Sequence, residues 1–182
     1  VFFGLQIGVL VVGHWTEFRR VLAAFLYRPT SPWNLAFARA TVMFLLAGHL
    51  VFFVRLKYAP LAALPESARE ALPGIGWLVE WIPISPGLYQ GMLWVGVVLC
   101  LLAAVGMFTR WTLPLACGVL FYVLGVPLFF GKVYHYHFMW WAPVFLAFSP
   151  CADVFSLDAW RHRGTSPIAP TTHYRYGLAL RF

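Results

Sequence analysis

The feature that most constrains this chain is a series of long apolar runs that contain almost no charge. The clearest run is Gly87–Phe108, which carries no charged side chain and is long enough to cross the roughly 30 Å hydrocarbon core of a bilayer as a helix. Only 10% of the residues are charged, whereas about a quarter are charged in a typical soluble domain. The chain therefore lacks the polar surface that a water-soluble fold needs.

A bilayer removes this requirement, because α-helices satisfy their own backbone hydrogen bonds within it. The sequence predicts an all-α fold, a multi-pass transmembrane helical bundle of about five spans with interfacial helices. The expected spans are Val1–Gly13, Leu35–Val54, Gly87–Phe108, Thr112–Phe130 and Val133–Ser149. Since the first run is too short to cross a bilayer alone and the chain starts without Met, we expect a fragment of a longer protein.

The segments between the spans predict interfacial helices and turns. Phe18–Tyr27 has an apolar face edged by two arginines, and Ile75–Ile82 is rich in aromatic rings, so both suit helices that lie on the membrane. Thr109–Trp111 is expected to be a tight connection between two spans. Pro114 and Pro127 predict kinks in the span that follows.

The basic residues predict the partners and orientation of the chain. The net charge is +7, but the basic residues flank the apolar runs and do not form one stripe, which argues for contact with anionic lipid and against nucleic acid. Cytoplasmic loops are richer in Lys and Arg than outer loops. We therefore expect an integral protein of a bacterial inner membrane, with the Arg19/Arg20 loop inside and Lys132 outside. The nine inner basic residues are Arg19, Arg20, Arg28, Arg39, Arg110, Arg161, Arg163, Arg175 and Arg181, and the four outer ones are Arg55, Lys57, Arg69 and Lys132.

This orientation also divides the chain. Residues 1–160 are expected to form the transmembrane domain, and residues 161–182 a polar, basic tail or linker on the cytoplasmic side. Arg39 lies one turn into its span, from where its charge can reach the lipid headgroups. The three cysteines, Cys100, Cys117 and Cys151, form no C-x-x-C pair and are expected to be small packing residues.

The segment Gly131–Trp141 (GKVYHYHFMWW) is the main candidate for chemistry, because ionisable groups at membrane depth are costly. On a helix Lys132 and His135 share a face, whereas His135 and His137 point to opposite sides, which argues against a metal site. His137 shares its side with Tyr134 and Trp141. Lys132, His135 and His137 are therefore the candidate catalytic residues, with simple interfacial positions as the competing interpretation.

His49 extends this site, because it lies five residues before the outer end of its predicted span. The candidate ligand-binding residues are His49, Tyr134 and Trp141, in an outer-leaflet pocket with Lys132. A desolvated lysine can act as a general base, and such a pocket suits a quinone headgroup. Haem or chlorophyll is less favoured as a cofactor. The competing interpretation of His49 is a hydrogen bond between helices.

Beyond the last span, Ser149–Trp160 (SPCADVFSLDAW) predicts a structured helix exit. Pro150 ends the span, and Asp153, Ser156 and Asp158 are good turn and N-cap residues.

Three stretches of the chain together resemble the HTTM domain, the membrane domain shared with vitamin K-dependent γ-carboxylases. Leu35–Ala40 (LAFARA) resembles the family's entry into an early span, with Arg39 at its arginine position. Gly106–Trp111 (GMFTRW) resembles its Gly-x-x-Thr-Arg turn. Lys132–His137, followed by Ala147–Asp158 (AFSPCADVFSLD), resembles the late span and its Ser-x-Asp exit. The resemblance covers roughly residues 31–160.

The resemblance implies a bundle of membrane helices with an active site near the lumenal side. In the carboxylases, a lysine before the late span is the proposed base that deprotonates vitamin K hydroquinone, which then reacts with oxygen. Lys132 matches that lysine by position, and His135 or His137 matches the family's nearby histidine with a shorter spacing. The large lumenal domain that binds the substrate protein is not supplied by these residues, so substrate recognition does not carry over.

Two functions are therefore open on the sequence alone. The first is an enzyme or quinone-binding domain of the carboxylase-like kind. The second is a non-catalytic accessory subunit of a larger respiratory or photosynthetic complex, whose aromatic surfaces pack on partner helices, lipids or pigments. Transport is weaker, because Arg39 is the one charge within the central spans and lies near an end.

Overall fold

The computed structural model describes residues 15–26, 30–69, 83–130 and 137–162, and within these ranges the chain is built from helices. The prediction of an all-α fold is confirmed for this part of the chain. The α-helices are α1 (Trp15–Leu26), α2 (Pro32–His49), α3 (Arg55–Tyr58), α4 (Pro86–Val105), α5 (Thr109–Gly125), α6 (His137–Ala147) and α7 (Leu157–His162). A π-helical segment, Leu50–Val54, joins α2 to α3, and 3₁₀ segments lie at Ala59–Ala63, Glu66–Ala68 and Val126–Phe130.

Among the described residues, three helical stretches are long and apolar enough to cross a membrane: Pro32–Ala63, Pro86–Val105 and Thr109–Phe130. They correspond to three of the five predicted spans and make this an integral membrane protein. The predicted span Val1–Gly13 lies outside the described residues, as does the start of Val133–Ser149. The described part of that last span is α6, which has 11 residues.

The first spanning helix begins at Pro32, three residues before the predicted start at Leu35. The hydroxyl of Ser31 accepts a hydrogen bond from the Trp33 backbone N–H, and Pro32 occupies the first turn, where its missing N–H costs nothing. The helical stretch then runs for 32 residues, well beyond the predicted end at Val54. At about 1.5 Å per residue it exceeds the roughly 30 Å hydrocarbon core, so one end projects from it or the helix tilts.

The two basic residues beyond Val54 do not end this helix, because their charges are accommodated on its surface. The guanidinium of Arg55 lies 5.4 Å from the centre of the Trp94 ring on α4, and the ammonium of Lys57 lies 5.6 Å from the Tyr58 ring. Both distances are typical of cation–π contacts. Arg55 and Lys57 are therefore part of the helix, beyond the end of the span predicted at Val54.

The connection between α4 and α5 is tight, but it lies three residues earlier than predicted. Helix α4 ends at Gly106, which adopts the left-handed conformation (φ 72°), and Phe108 is also left-handed (φ 48°). Thr109 and Trp111 belong to the first turn of α5. A left-handed glycine commonly ends a helix because it has no Cβ to clash. The short connection makes α4 and α5 antiparallel neighbours.

Helix α5 changes to a 3₁₀ segment at Val126. The next residue is Pro127, one of the two prolines predicted to kink this span. In a continuing α-helix the N–H of residue 127 would bond to the carbonyl of Val123, and proline has no N–H. The hydroxyl of Tyr89 on α4 donates to the Val123 carbonyl oxygen instead, at 3.2 Å. The other predicted kink residue, Pro114, lies inside the described α5.

The core lies between α2, α4, α5 and α6, and α4 packs against both α2 and α5. Its fully buried side chains include Leu35, Met43, Leu50, Tyr89, Leu93, Cys100, Leu113, Leu120 and Val123. Many other large apolar side chains point outward, among them Phe37, Phe44, Phe52, Phe53, Val98 and Leu115. Outward apolar side chains on this scale suit a bilayer and not water. Cys100 and Cys151 are buried and Cys117 is partly buried, with all three thiols free.

Candidate functional site

The residues that the sequence singles out for chemistry lie partly outside the described structure. Lys132, Tyr134 and His135 fall outside the described residues. His137 is the first residue of α6, but its side chain is also outside the described part. The predicted catalytic group therefore stays a prediction, and the structure describes His49 and Trp141.

His49 is the last residue of α2 and lies half-buried immediately before the π-helical segment. Its imidazole stacks on the ring of Phe53, with centroids 5.3 Å apart and planes inclined by 19°. A π-helical turn inside an α-helix is rare and is often found at functional sites. The structure thus places the one described candidate histidine beside an irregular turn within a membrane-spanning helix.

The π-helical segment packs where α4 leaves room for it. A Cβ built on Gly96 of α4 would lie 3.4 Å from Cδ1 of Leu50, in the segment, and 3.3 Å from Cγ1 of Val119 on α5. The absent side chain of Gly96 therefore lets the three helices approach closely.

Trp141, the other described ligand-binding candidate, lies on α6 and is about half exposed (48%). Its ring meets Trp140 edge-on at 4.9 Å and stacks on Phe145 at 6.0 Å. The indole N–H of Trp140 donates to the carbonyl of Cys117 on α5 at 2.9 Å. Trp140 therefore joins α6 to α5, while Trp141 presents part of its ring outward. His49 stacks on Phe53 of its own helical stretch, whereas Trp141 contacts Trp140 and Phe145 on α6.

The sequence does not predict a polar cluster that lies at one end of the bundle. At this end the N-terminus of α4 meets the C-terminus of α5. Arg69 donates to the carbonyl of Ile84 at 3.1 Å and pairs with Glu66 at 3.2 Å, and the hydroxyl of Tyr122 donates to the carbonyl of Pro83 at 3.0 Å. These bonds fasten the residues that precede α4. No pattern in the sequence signals them, because the partners are backbone carbonyls of a proline-containing segment.

A second polar cluster closes the opposite end of the bundle, and we call it the clamp. Arg39 is fully buried, and its Nη2 donates to the carbonyl of Phe155 at 2.6 Å. The expectation that Arg39 extends to the headgroups is therefore wrong, because Phe155 and Gly106 enclose the guanidinium. A Cβ on Gly106 would clash with Nη1 of Arg39 and with the side chain of Ser156.

Asp158 completes the clamp from α7. Its carboxylate accepts hydrogen bonds from the backbone N–H groups of Phe108 (2.9 Å) and Thr109 (2.7 Å) and from the Thr109 hydroxyl (2.9 Å). Its own N–H donates to the carbonyl of Gly106 at 3.1 Å. Partial burial raises the pKa of Asp158, but these hydrogen bonds and the charge of Arg161 outweigh it and hold the pKa below its usual range.

The predicted capping residues near α7 therefore have different roles. Ser156 accepts a hydrogen bond from the N–H of Ala159 at 2.9 Å and caps α7, as expected. Asp158 caps α5, about fifty residues earlier in the chain. The sequence signals a cap at Asp158 but not which helix it caps.

The three stretches that carry the HTTM resemblance contribute residues to this clamp: Arg39, the turn Gly106–Thr109 and the segment Phe155–Asp158. The carboxylate and the guanidinium are both engaged in holding backbone groups, so the clamp is suited to joining helices and not to proton transfer. Beside it lies an open groove of about 590 Å³. The groove is lined by Ser156 and by six apolar residues, which are Ala40, Phe44, Ala104, Val105, Phe155 and Leu157.

Within the described ranges, no group of three or more His, Cys, Asp or Glu side chains could hold a metal ion. Comparison of the chain with protein-family models, with curated proteins and with solved structures finds no match.

Proposed function

We propose that this protein is a membrane domain of the carboxylase-like (HTTM) kind that binds a quinone or another lipid-like ligand. The observation that carries the proposal is the position of His49. A half-buried imidazole inside an apolar spanning helix, stacked on Phe53 and followed by a π-helical turn, offers a polar contact and a ring surface within the hydrocarbon. A quinone headgroup needs both, a hydrogen-bond partner for its carbonyl and a flat apolar neighbour.

In this proposal Lys132 is the base, and His135, His137 and His49 orient or polarise the ligand. Tyr134 and Trp141 line the pocket. These roles follow from the sequence pattern and from the family resemblance. Intramembrane ionisable groups are rare enough that a functional role is the default hypothesis for each of them.

Ligand binding is tested with the full chain in nanodiscs and decylubiquinone as the probe, by quenching of tryptophan fluorescence. His49→Phe keeps a ring on Phe53 but removes the imidazole nitrogens, and losing one hydrogen bond should weaken binding about threefold to tenfold. Phe53→Leu tests the ring contact separately. The ligand-binding proposal fails if the wild-type chain does not bind the quinone. It also fails if His49→Phe binds the quinone as tightly as the wild-type chain does.

Catalysis is tested separately with Lys132→Met. We expect this variant to fold and to bind the quinone, but to lose any quinol-dependent consumption of oxygen. If the wild-type chain binds quinone but does not consume oxygen when quinol is supplied, the protein is a quinone-binding domain without this catalytic activity. Lys132 would then have no catalytic role.

A second function is favoured by the outward aromatic side chains. Phe37, Phe52 and Phe53 are each more than 60% exposed on the first spanning helix. In an accessory subunit of a larger membrane complex, such a surface packs on partner helices, lipids or pigments. Gentle purification from native membranes followed by mass spectrometry separates the two functions. Partner subunits at fixed stoichiometry, crosslinked through position 52, favour the accessory role, whereas a lone chain with bound quinone favours the first.

A further inference from the structure

Helix α1 presents an apolar stripe that the described structure leaves exposed. Trp15, Phe18, Val21 and Phe25 recur every three or four residues, which places them on one side of the 12-residue helix. Their exposed fractions lie between 41% and 66%. The rings of Trp15 and Phe18 stack at 5.9 Å, so the stripe is a continuous aromatic surface at its N-terminal end.

The charged side chains of α1 lie outside this stripe and are not equivalent. Arg20 pairs with Glu17 at 3.0 Å, and both are well exposed. The guanidinium of Arg19 lies instead 6.0 Å from the centre of the Trp15 ring, at the edge of the stripe. Within the described residues, no ion pair involves Arg19. Arg19, which lies beside the stripe, is therefore not paired with an acidic residue of α1, whereas Arg20 is.

The position of α1 in the chain restricts what can cover the stripe. Five residues, 27–31, separate α1 from Pro32, where the first membrane-spanning helix begins. Extended chain of that length reaches at most about 20 Å, so α1 is tethered close to the place where that helix meets the headgroups. An amphipathic helix with aromatic residues on one face and arginine beside them has the composition of a helix that lies in the membrane interface.

We propose that α1 is a docking surface for anionic phospholipid. Trp15, Phe18, Val21 and Phe25 insert at the boundary between headgroups and acyl chains, and Arg19 contacts a lipid phosphate. Arg20 contributes less to the binding of anionic lipid, because its charge is paired with Glu17. The proposal requires that the stretch Pro32–Ala63 crosses the membrane, and it is independent of any ligand near His49.

Insertion is tested on the full chain in nanodiscs, with the three native cysteines replaced by alanine and a nitroxide attached to Val21→Cys. Nanodiscs of phosphatidylcholine alone are compared with nanodiscs of equal parts phosphatidylcholine and phosphatidylglycerol. We expect the label to be more accessible to oxygen than to a water-soluble nickel chelate, more strongly with phosphatidylglycerol. The matched control is Thr16→Cys on the opposite side of the helix, whose label should favour the nickel chelate. A Val21 label that favours the nickel chelate in both lipids overturns the proposal.

The role of Arg19 is tested with Arg19→Gln and its neighbour Arg20→Gln. One arginine at an anionic surface is worth about a fivefold preference, so Arg19→Gln should reduce the phosphatidylglycerol dependence by about that factor. Arg20→Gln should leave it nearly unchanged. Equal effects of the two substitutions would refute the assignment to Arg19. Dipolar broadening between Val21 labels, or their protection only on adding a protein partner, would show that a second copy or a protein covers the stripe, and would overturn the lipid assignment.

Discussion

Nη2 of Arg39 donates a 2.6 Å hydrogen bond to the carbonyl oxygen of Phe155, which lies 116 residues further along the chain. The side chain of Arg39 is fully buried, and its Nε and Nη1 atoms have no hydrogen-bond partner within the described structure. Burying a guanidinium with unpaired donors is costly, so the stability of this contact depends on the shape of the side chain as well as on its charge.

Replacing Arg39 by alanine and by methionine separates these two contributions. Arg39→Ala leaves a cavity and removes the bond to Phe155, and we expect it to lower the free energy of unfolding by about 2–5 kcal/mol. Arg39→Met fills most of the volume and removes the unpaired donors, so its cost should be less than half as large. Chemical unfolding in detergent micelles measures both. If methionine is as damaging as alanine, the charge is required and packing is secondary.

Gly106 is expected to tolerate no side chain. Its φ is 72°, and a Cβ would clash with Arg39 and Ser156, so Gly106→Ala should cost more than about 2 kcal/mol of the free energy of unfolding. Gly118→Ala is the matched control, because a Cβ at Gly118 on α5 meets nothing within 4 Å. That control should be neutral or stabilising by up to about 1 kcal/mol. Similar melting temperatures for the two variants would contradict the described geometry of the clamp.

Tyr89 should matter for stability through its hydroxyl. It supplies the donor that Pro127 cannot give to the buried carbonyl of Val123, so Tyr89→Phe leaves that carbonyl without this donor and should cost about 1–3 kcal/mol. Tyr122→Phe is the control, since it also removes one bond, but to the more exposed carbonyl of Pro83. Water can replace that bond, so the cost should be under about 1 kcal/mol. The two free energies of unfolding, measured under the same detergent conditions, should differ in this order.

Asp158 should make the stability of the clamp depend on acid pH. Its folded-state pKa lies below the unfolded value, so its contribution is fully present above the ordinary aspartate range and is lost as the pH falls through the lowered folded-state pKa. Asp158→Asn should cost about 1 kcal/mol near neutral pH and remove this acid-dependent loss. This loss of stability is measured by hydrogen exchange of the Phe108 and Thr109 amides at a series of pH values between neutral and acid. The exposed Asp153 gives the control Asp153→Asn, which should leave the exchange of these amides unchanged.

Three of the five predicted spans correspond to long apolar helices in the described structure, because their signal in the sequence is local. Length and hydropathy identify the spans Leu35–Val54 and Gly87–Phe108, and the structure begins the corresponding helices slightly earlier, at Pro32 and Pro86, each preceded by a capping serine. The extension of the first helix past Val54 was missed, because Arg55 finds its ring partner, Trp94, on another helix. The clamp was missed for the same reason. Arg39 and Asp158 are polar residues whose partners lie far away in the chain, and a single sequence does not reveal such pairs.

The catalytic part of the predicted site depends on residues outside the described ranges, so Lys132, Tyr134, His135 and the side chain of His137 stay predictions. Among the described candidates, His49 lies in a spanning helix, as the hydropathy of the sequence predicts. The π-helical turn after it has no clear signature in the sequence, since the segment Leu50–Val54 is uniformly apolar. Its neighbour Gly96 is a weak signal at best, because a glycine within a helix has several explanations.

The contact between Arg39 and Phe155 also sets an order on biosynthesis. The ribosome makes Arg39 long before Phe155, so the carbonyl that accepts its hydrogen bond is absent while the three long apolar helices are being made. A chain truncated before Phe155 would lack the acceptor altogether. It should therefore be a preferred target for the proteases and chaperones that survey unassembled membrane segments, even though all three of its described long apolar helices would be complete.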